Sequence, residues 1–148
     1  MEVISALGNY FLSVWLWSIT YGGYHIPFAI VYMLLILKFF VRMGWAQSVL
    51  VSLGTNLYAW LTYTALALGA LYVIMSFEYI PETPHANVCE RTMLICGSLA
   101  LVYTFLQAVL FAVINMGQVL NWPRAVMLCL IVNMLAALSV YTLLPIYC

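Results

Sequence analysis

The chain has 148 residues, of which 68% are hydrophobic and 5% are charged, and four basic residues balance four acidic ones to give a formal net charge of zero. This composition excludes a soluble globular domain, in which about 25% of residues are charged, and the lack of a basic cluster in the sequence excludes the electrostatic surface of a nucleic-acid-binding protein. Uncharged stretches at 3–37, 43–77, 92–123 and 125–148 each exceed the about 20 residues that cross a bilayer as a helix, so the sequence predicts an all-α integral membrane bundle.

The first uncharged stretch is too long for one crossing, and the segment YGGYHIP divides it. Gly22 and Gly23 accept backbone conformations that are closed to other residues, and Pro27 suits the first turn of a new helix. This pattern predicts two helices, at about 4–20 and 27–43, joined by a tight hairpin.

The N-terminal segment has the hydrophobicity of a signal peptide, but Glu2 occupies the region in which a signal peptide is basic. We therefore expect this segment to be retained as the first crossing. Residues 1–20 also permit an alternative with four crossings, in which they lie flat in the membrane interface on Tyr10, Trp15 and Trp17.

Downstream of the hairpin, three further helices are predicted, at about 47–76, 88–116 and 123–144. Asn87 and Glu90 are spaced as a capping box, in which each side chain satisfies a backbone N–H near the start of a helix. Asn121 lies near the predicted N-cap of the last helix, and Pro123 lies in its first turn. The predicted bundle thus has five transmembrane helices.

Lysine and arginine in the short loops predict the orientation, because cytoplasmic loops are enriched in both residues. Lys38 and Arg42 flank one turn and Arg124 lies in another, whereas Arg91 lies alone on the opposite side. The sequence therefore predicts a cytoplasmic N-terminus and a C-terminus outside. The expected location is the bacterial inner membrane or a eukaryotic endomembrane or organelle membrane.

The longest predicted loop is a candidate site because it concentrates charge outside the bilayer. Its candidate residues are Glu78, Glu82, His85, Cys89, Glu90 and Arg91. We interpret the loop as a solvated connection between two crossings. Cys89 and Cys148 both reach the outer surface in this topology, which permits either a disulfide between them or four free thiols in the chain. Because the spacing of the histidines and cysteines fits no metal motif, we predict no metal site and no cofactor, and we expect bound lipid.

Neutral amides are the polar residues that lie deepest in the predicted crossings. Asn56, Gln107 and Asn133 belong to three different helices and lie at similar distances from the cytoplasmic turns. An unpaired amide in hydrocarbon costs several kcal/mol, so these side chains are expected to bond to each other or to another partner. His25 and His85 both fall in outer turns, which leaves no ionisable residue near the middle of a crossing and argues against a proton-coupled transporter.

Three classes of function are compatible with this pattern. We favour a non-catalytic membrane subunit or scaffold, which packs against partner transmembrane proteins or against itself through small residues of the last three helices. Those small residues are Ala65, Gly69, Gly97, Ser98, Ala136 and Ala137. The alternative is a small channel or transporter for a neutral or weakly polar solute, lined by the amide layer. The third class is a membrane enzyme, either a redox enzyme based on Cys89 beside Arg91 or a transferase.

Overall fold

The computed structural model describes residues 2–76, 88–113 and 121–143, with side chains at position 19 and over 21–73, 95–113 and 121–143. All regular structure in these ranges is helical, which confirms the predicted all-α fold. The four helices are α1 (Glu2–Phe39), α2 (Trp45–Ser76), α3 (Val88–Val113) and α4 (Trp122–Leu143). Within the described ranges, three segments are long and apolar enough to cross a membrane, namely Tyr21–Phe39, Ile95–Val113 and Trp122–Leu143.

The predicted hairpin near the start of the chain is wrong, because α1 continues without a break from Glu2 to Phe39 and contains Pro27 in its interior. This segment lies inside the bundle, where Gly22 is in contact with the side chain of Tyr103. A hairpin at this depth would leave several backbone N–H and C=O groups without partners, each at a cost of several kcal/mol. Proline removes one N–H donor from a helix, and membrane helices tolerate such a loss.

A short turn joins α1 to α2. Arg42 has a φ of 62°, in the left-handed region, and the Met43 N–H beyond it donates to the Leu37 carbonyl oxygen at 3.1 Å. Lys38 Nζ lies 5.0 Å from the centroid of the Trp45 ring, which is a cation–π contact across the turn. The turn is therefore held both by its backbone and by side chains from the two helices that it connects.

Replacing Arg42 with glycine is expected to raise the free energy of unfolding by about 0.5–1 kcal/mol. Glycine adopts a left-handed φ readily, whereas an L side chain bears a cost of about 1–2 kcal/mol there. Arg42→Ala is the matched control, since it also removes the charge but keeps the Cβ atom. Reversible unfolding in mixed micelles measures both variants, and equal stability of the two would contradict this role of the turn.

The buried clusters show how the helices pair. Leu37 of α1, Phe111 of α3 and Ala125 of α4 belong to one cluster, at the end of the bundle that contains the α1–α2 turn. Cys96 of α3 and Val140 of α4 belong to a second cluster. Because Phe111 lies with the start of α4 and Cys96 lies with its end, α3 and α4 are antiparallel. A third cluster, between α2 and α3, contains Ala59, Tyr63, Ile95, Leu99, Tyr103 and Leu106.

Candidate functional site

Three amide side chains from three helices are hydrogen-bonded to each other inside the bundle. Gln107 Nε2 of α3 donates to Asn56 Oδ1 of α2 at 2.8 Å, and Asn133 Nδ2 of α4 donates to Gln107 Oε1 at 2.8 Å. All three side chains are buried. The structure thus brings together the three residues that the sequence placed at one depth.

A fourth member of this group comes from α1. His25 Nε2 lies 3.0 Å from Asn133 Oδ1, and the side chain is 1% exposed. The expectation that His25 lies in an outer turn is therefore wrong, because the segment around it is helical and buried. The signal for its true position was the continuous apolar pattern of α1. If α1 is one helix, His25 and Asn56 lie at similar distances along the chain from the α1–α2 turn and therefore at a similar depth.

Backbone carbonyls determine which way the two asparagine amides point. Asn56 Nδ2 donates to the Ser52 carbonyl oxygen at 2.8 Å, and Asn133 Nδ2 donates to the Cys129 carbonyl oxygen at 2.8 Å. A carbonyl oxygen only accepts, so the NH₂ group of each asparagine must lie on that side. Asn133 Oδ1 then faces His25 as an acceptor, and His25 Nε2 is the donor of their hydrogen bond.

The donors and acceptors form a ring through all four helices. Ser52 Oγ of α2 donates to the Ile30 carbonyl oxygen of α1 at 2.6 Å. Donation therefore passes from α1 to α4, α3 and α2 and returns to α1. We call this set the polar ring; its side chains are His25, Ser52, Asn56, Gln107 and Asn133. Thr104 extends it, since its Oγ1 accepts from Asn133 Nδ2 at 3.2 Å and donates to the Ala100 carbonyl oxygen at 2.7 Å.

An aromatic group packs beside the polar ring. The Tyr103 ring makes edge-to-face contacts with His25 at a centroid distance of 5.1 Å and with Tyr63 at 5.7 Å. Pairs of this geometry contribute about 0.5–1.5 kcal/mol beyond the area that they bury. Tyr103 therefore helps to fix the orientation of the His25 imidazole. Apart from His25, the side chains of the polar ring are neutral amides and a hydroxyl.

The other predicted site residues lie apart from this region. Glu78, Glu82, His85 and Cys148 lie outside the described residues, so the choice between a Cys89–Cys148 disulfide and four free thiols is not tested by the structure. Cys89, Glu90 and Arg91 belong to the first turn of α3. Among the described side chains, Cys96 and Cys129 are free and buried, and no three histidine, cysteine or acidic residues are grouped as metal ligands.

Comparison with known proteins gives no assignment. No protein-family model matches the sequence, no curated protein is similar to it, and no solved structure matches the fold.

Proposed function

We propose that this chain is a non-catalytic multi-pass membrane subunit that packs against a partner transmembrane protein through α2. The observation that carries the proposal is an outward surface of α2, which we call the α2 face. Its residues, all exposed, are Leu61, Ala65, Leu68, Gly69 and Tyr72.

Small residues at the centre of the α2 face suit close helix packing. Ala65 and Gly69 are four residues apart, which is the small-xxx-small spacing at which two membrane helices approach closely. A Cβ atom built on Gly69 meets no atom within 4 Å. By contrast, Ala136 and Ala137, which were predicted to serve the same purpose, are buried within the bundle. Gly97 and Ser98 of α3, also predicted for this purpose, are half-buried and exposed respectively, so the described residues leave small residues uncovered on both α2 and α3.

The polar ring favours a structural role over transport. Each amide in it donates to and accepts from the protein itself, so the ring joins the four helices without leaving an amide oriented towards a solute. Such interhelical bonds contribute about 0.6 kcal/mol on average in membrane proteins, and up to about 1.7. The second candidate, a small channel or transporter for a neutral solute, is favoured by one observation, which is that these amides, from three of the four helices, are bonded together inside the bundle.

The topology that we propose follows from the continuous α1. Lys38 and Arg42 at the α1–α2 turn and Arg124 at the start of α4 lie at one end of the bundle. An excess of basic residues is typical of the cytoplasmic side. The proposed topology adds α2 to the three apolar segments, which gives four crossings and puts both termini on the side opposite to these basic residues.

Extraction in mild detergent followed by native mass analysis tests the subunit proposal. The expected result is a stoichiometric complex with other transmembrane proteins. Ala65→Phe is expected to release the chain from that complex, because a large side chain on the α2 face prevents close packing without disturbing the bundle. Ala112→Phe, a matched change at an exposed site on α3, is expected to leave the complex intact. Recovery of the unmodified chain alone, with no partner, would overturn the proposal.

A further inference from the structure

Three of the four basic residues of the chain lie at the end of the bundle that contains the α1–α2 turn. We call this group the basic end; its residues are Lys38, Arg42 and Arg124. Arg42 and Arg124 are exposed and Lys38 is half-buried. Their neighbours along the chain pack in or against a single apolar cluster; these neighbours are Leu37, Val41, Met43 and Ala125. The three charges are therefore arranged around one part of the surface.

The acidic residues of the chain lie away from the basic end. The segments 38–48 and 114–124 contain no aspartate or glutamate, and neither do the first turns of α2 and α4. Among the described residues, Glu2 and Glu90 lie in the first turns of α1 and α3, which begin at the opposite end of the bundle. A chain with no net charge thus has one end that is basic and is not neutralised by its own sequence.

Arg124 occupies a position that a cation disfavours unless an anion is nearby. It lies in the first turn of α4, where the free backbone N–H groups give the helix a partial positive charge. Anions are stabilised at such a position and cations are destabilised. Because Arg124 is exposed, an anion from outside the chain can reach both its guanidinium group and the start of the helix.

Two tryptophans indicate the depth of the basic end in the membrane. Trp45 and Trp122 are the first residues of α2 and α4, and both are exposed. Tryptophan is enriched at the level of the lipid head groups. Lys38 Nζ lies 5.0 Å from the centroid of the Trp45 ring and donates to the Met43 carbonyl oxygen at 3.4 Å, so its charge is held at the turn. The basic end therefore lies at the head-group level.

We propose that the basic end binds the phosphate of a phospholipid whose head group has a net negative charge. Guanidinium groups donate two parallel hydrogen bonds to phosphate oxygens, and anionic lipids attract basic segments next to a membrane helix. A zwitterionic head group carries its own cation, which competes with the arginines for the phosphate. The proposal requires that this end lies at a bilayer surface, and it does not depend on the partner proposed for the α2 face.

A lipid titration of the full chain in mild detergent tests the proposal. Phosphatidylglycerol and phosphatidylcholine with identical acyl chains are added separately, and native mass analysis gives the affinity for the first lipid bound. We expect phosphatidylglycerol to bind more tightly. Arg124→Gln should lower its affinity about fivefold, the effect of one basic residue near an anionic surface, and should leave that for phosphatidylcholine unchanged. Arg91→Gln, the same change in the first turn of α3, should alter neither affinity.

Two results of this titration would overturn the proposal. Equal affinity for the two lipids would leave an acidic segment of a partner protein as the source of the negative charge. Displacement of phosphatidylglycerol by inorganic phosphate, but not by ammonium acetate of the same ionic strength, would identify a soluble anion as the ligand.

Thermal unfolding in nanodiscs separates lipid binding from a general effect on folding. In phosphatidylcholine, Arg124→Gln is expected to raise the unfolding midpoint slightly, because it removes a cation from the start of a helix. In phosphatidylglycerol, the same change is expected to lower the midpoint, because a ligand that binds the folded state is lost. A shift of the same sign in both lipids would contradict the proposal.

Discussion

Gly22→Ala is expected to lower the free energy of unfolding by about 1–3 kcal/mol, the usual cost of inserting an atom into a packed interior. The new Cβ atom would lie 2.6 Å from Tyr103 Oη, well inside contact distance. Tyr103 has little room to withdraw, because its ring is buried and packs against His25 and Tyr63. The loss should therefore exceed any gain from the higher helix propensity of alanine, which is about 1 kcal/mol at most.

Gly23→Ala provides the control for this prediction. The two glycines are adjacent in α1, but a Cβ atom on Gly23 meets nothing within 4 Å. Its replacement therefore reports helix propensity alone and is expected to be neutral or slightly stabilising. Reversible unfolding in mixed micelles of a mild detergent and dodecyl sulfate measures both changes under the same conditions.

A double variant isolates the contact itself. In Gly22→Ala combined with Tyr103→Phe, the closest oxygen is removed and the nearest remaining atom is the ring carbon Cζ at 3.7 Å, an ordinary van der Waals distance. We expect the second change to restore most of the stability that the first one removes. If Gly22→Ala proves no more costly than Gly23→Ala, or if Tyr103→Phe restores nothing, the close approach of α1 to α3 at this point is refuted.

Asn133→Leu is expected to lower the free energy of unfolding by about 2–4 kcal/mol. Asn133 bonds both to His25 of α1 and to Gln107 of α3, so its loss leaves a buried donor and a buried acceptor without these partners. Each such group costs about 1–3 kcal/mol. Met134→Leu changes the neighbouring exposed residue of α4 to the same side chain and is expected to have almost no effect.

Replacement of the whole set of bonded side chains distinguishes a structural role from a conducting one. Replacing Asn56, Gln107 and Asn133 alone would leave His25 Nε2 without its acceptor, so His25 must be changed with them. When both partners of each bond become leucine, no buried group is orphaned, and the loss in stability should be smaller than for Asn133→Leu alone. A subunit is expected to keep its partner in native mass analysis of this variant. Loss of a measured solute flux with the complex intact would instead support the channel.

The all-helical fold follows from composition, because a chain with so little charge can satisfy its backbone in a bilayer only through helices or a closed barrel. The sequence also indicated a common depth for Asn56, Gln107 and Asn133, since a fixed rise per residue relates each position to the nearest turn. It did not determine which amide donates to which, because that depends on backbone carbonyls such as that of Cys129, brought close only by the folded bundle.

His25 shows why local signals failed at α1. Gly22, Gly23 and Pro27 together resemble a turn in a soluble protein, where water satisfies the freed backbone groups. Inside the bundle, Gly22 instead gives Tyr103 room to approach, and Pro27 is accommodated within a continuous helix. Contacts between distant parts of the chain thus overrode the local preference, and the sequence contained no direct sign of the Tyr103 contact.

The unbroken α1 also constrains how the protein is inclined in the bilayer. A helix of 38 residues is about 57 Å long, whereas the hydrocarbon core measures about 30 Å. Even at a tilt of about 40°, the upper end of the range for membrane helices, its projection on the membrane normal is about 44 Å. Because the apolar segment of α1 is Tyr21–Phe39, a bilayer centred on that segment leaves the N-terminal turns of the helix in or beyond the head-group layer.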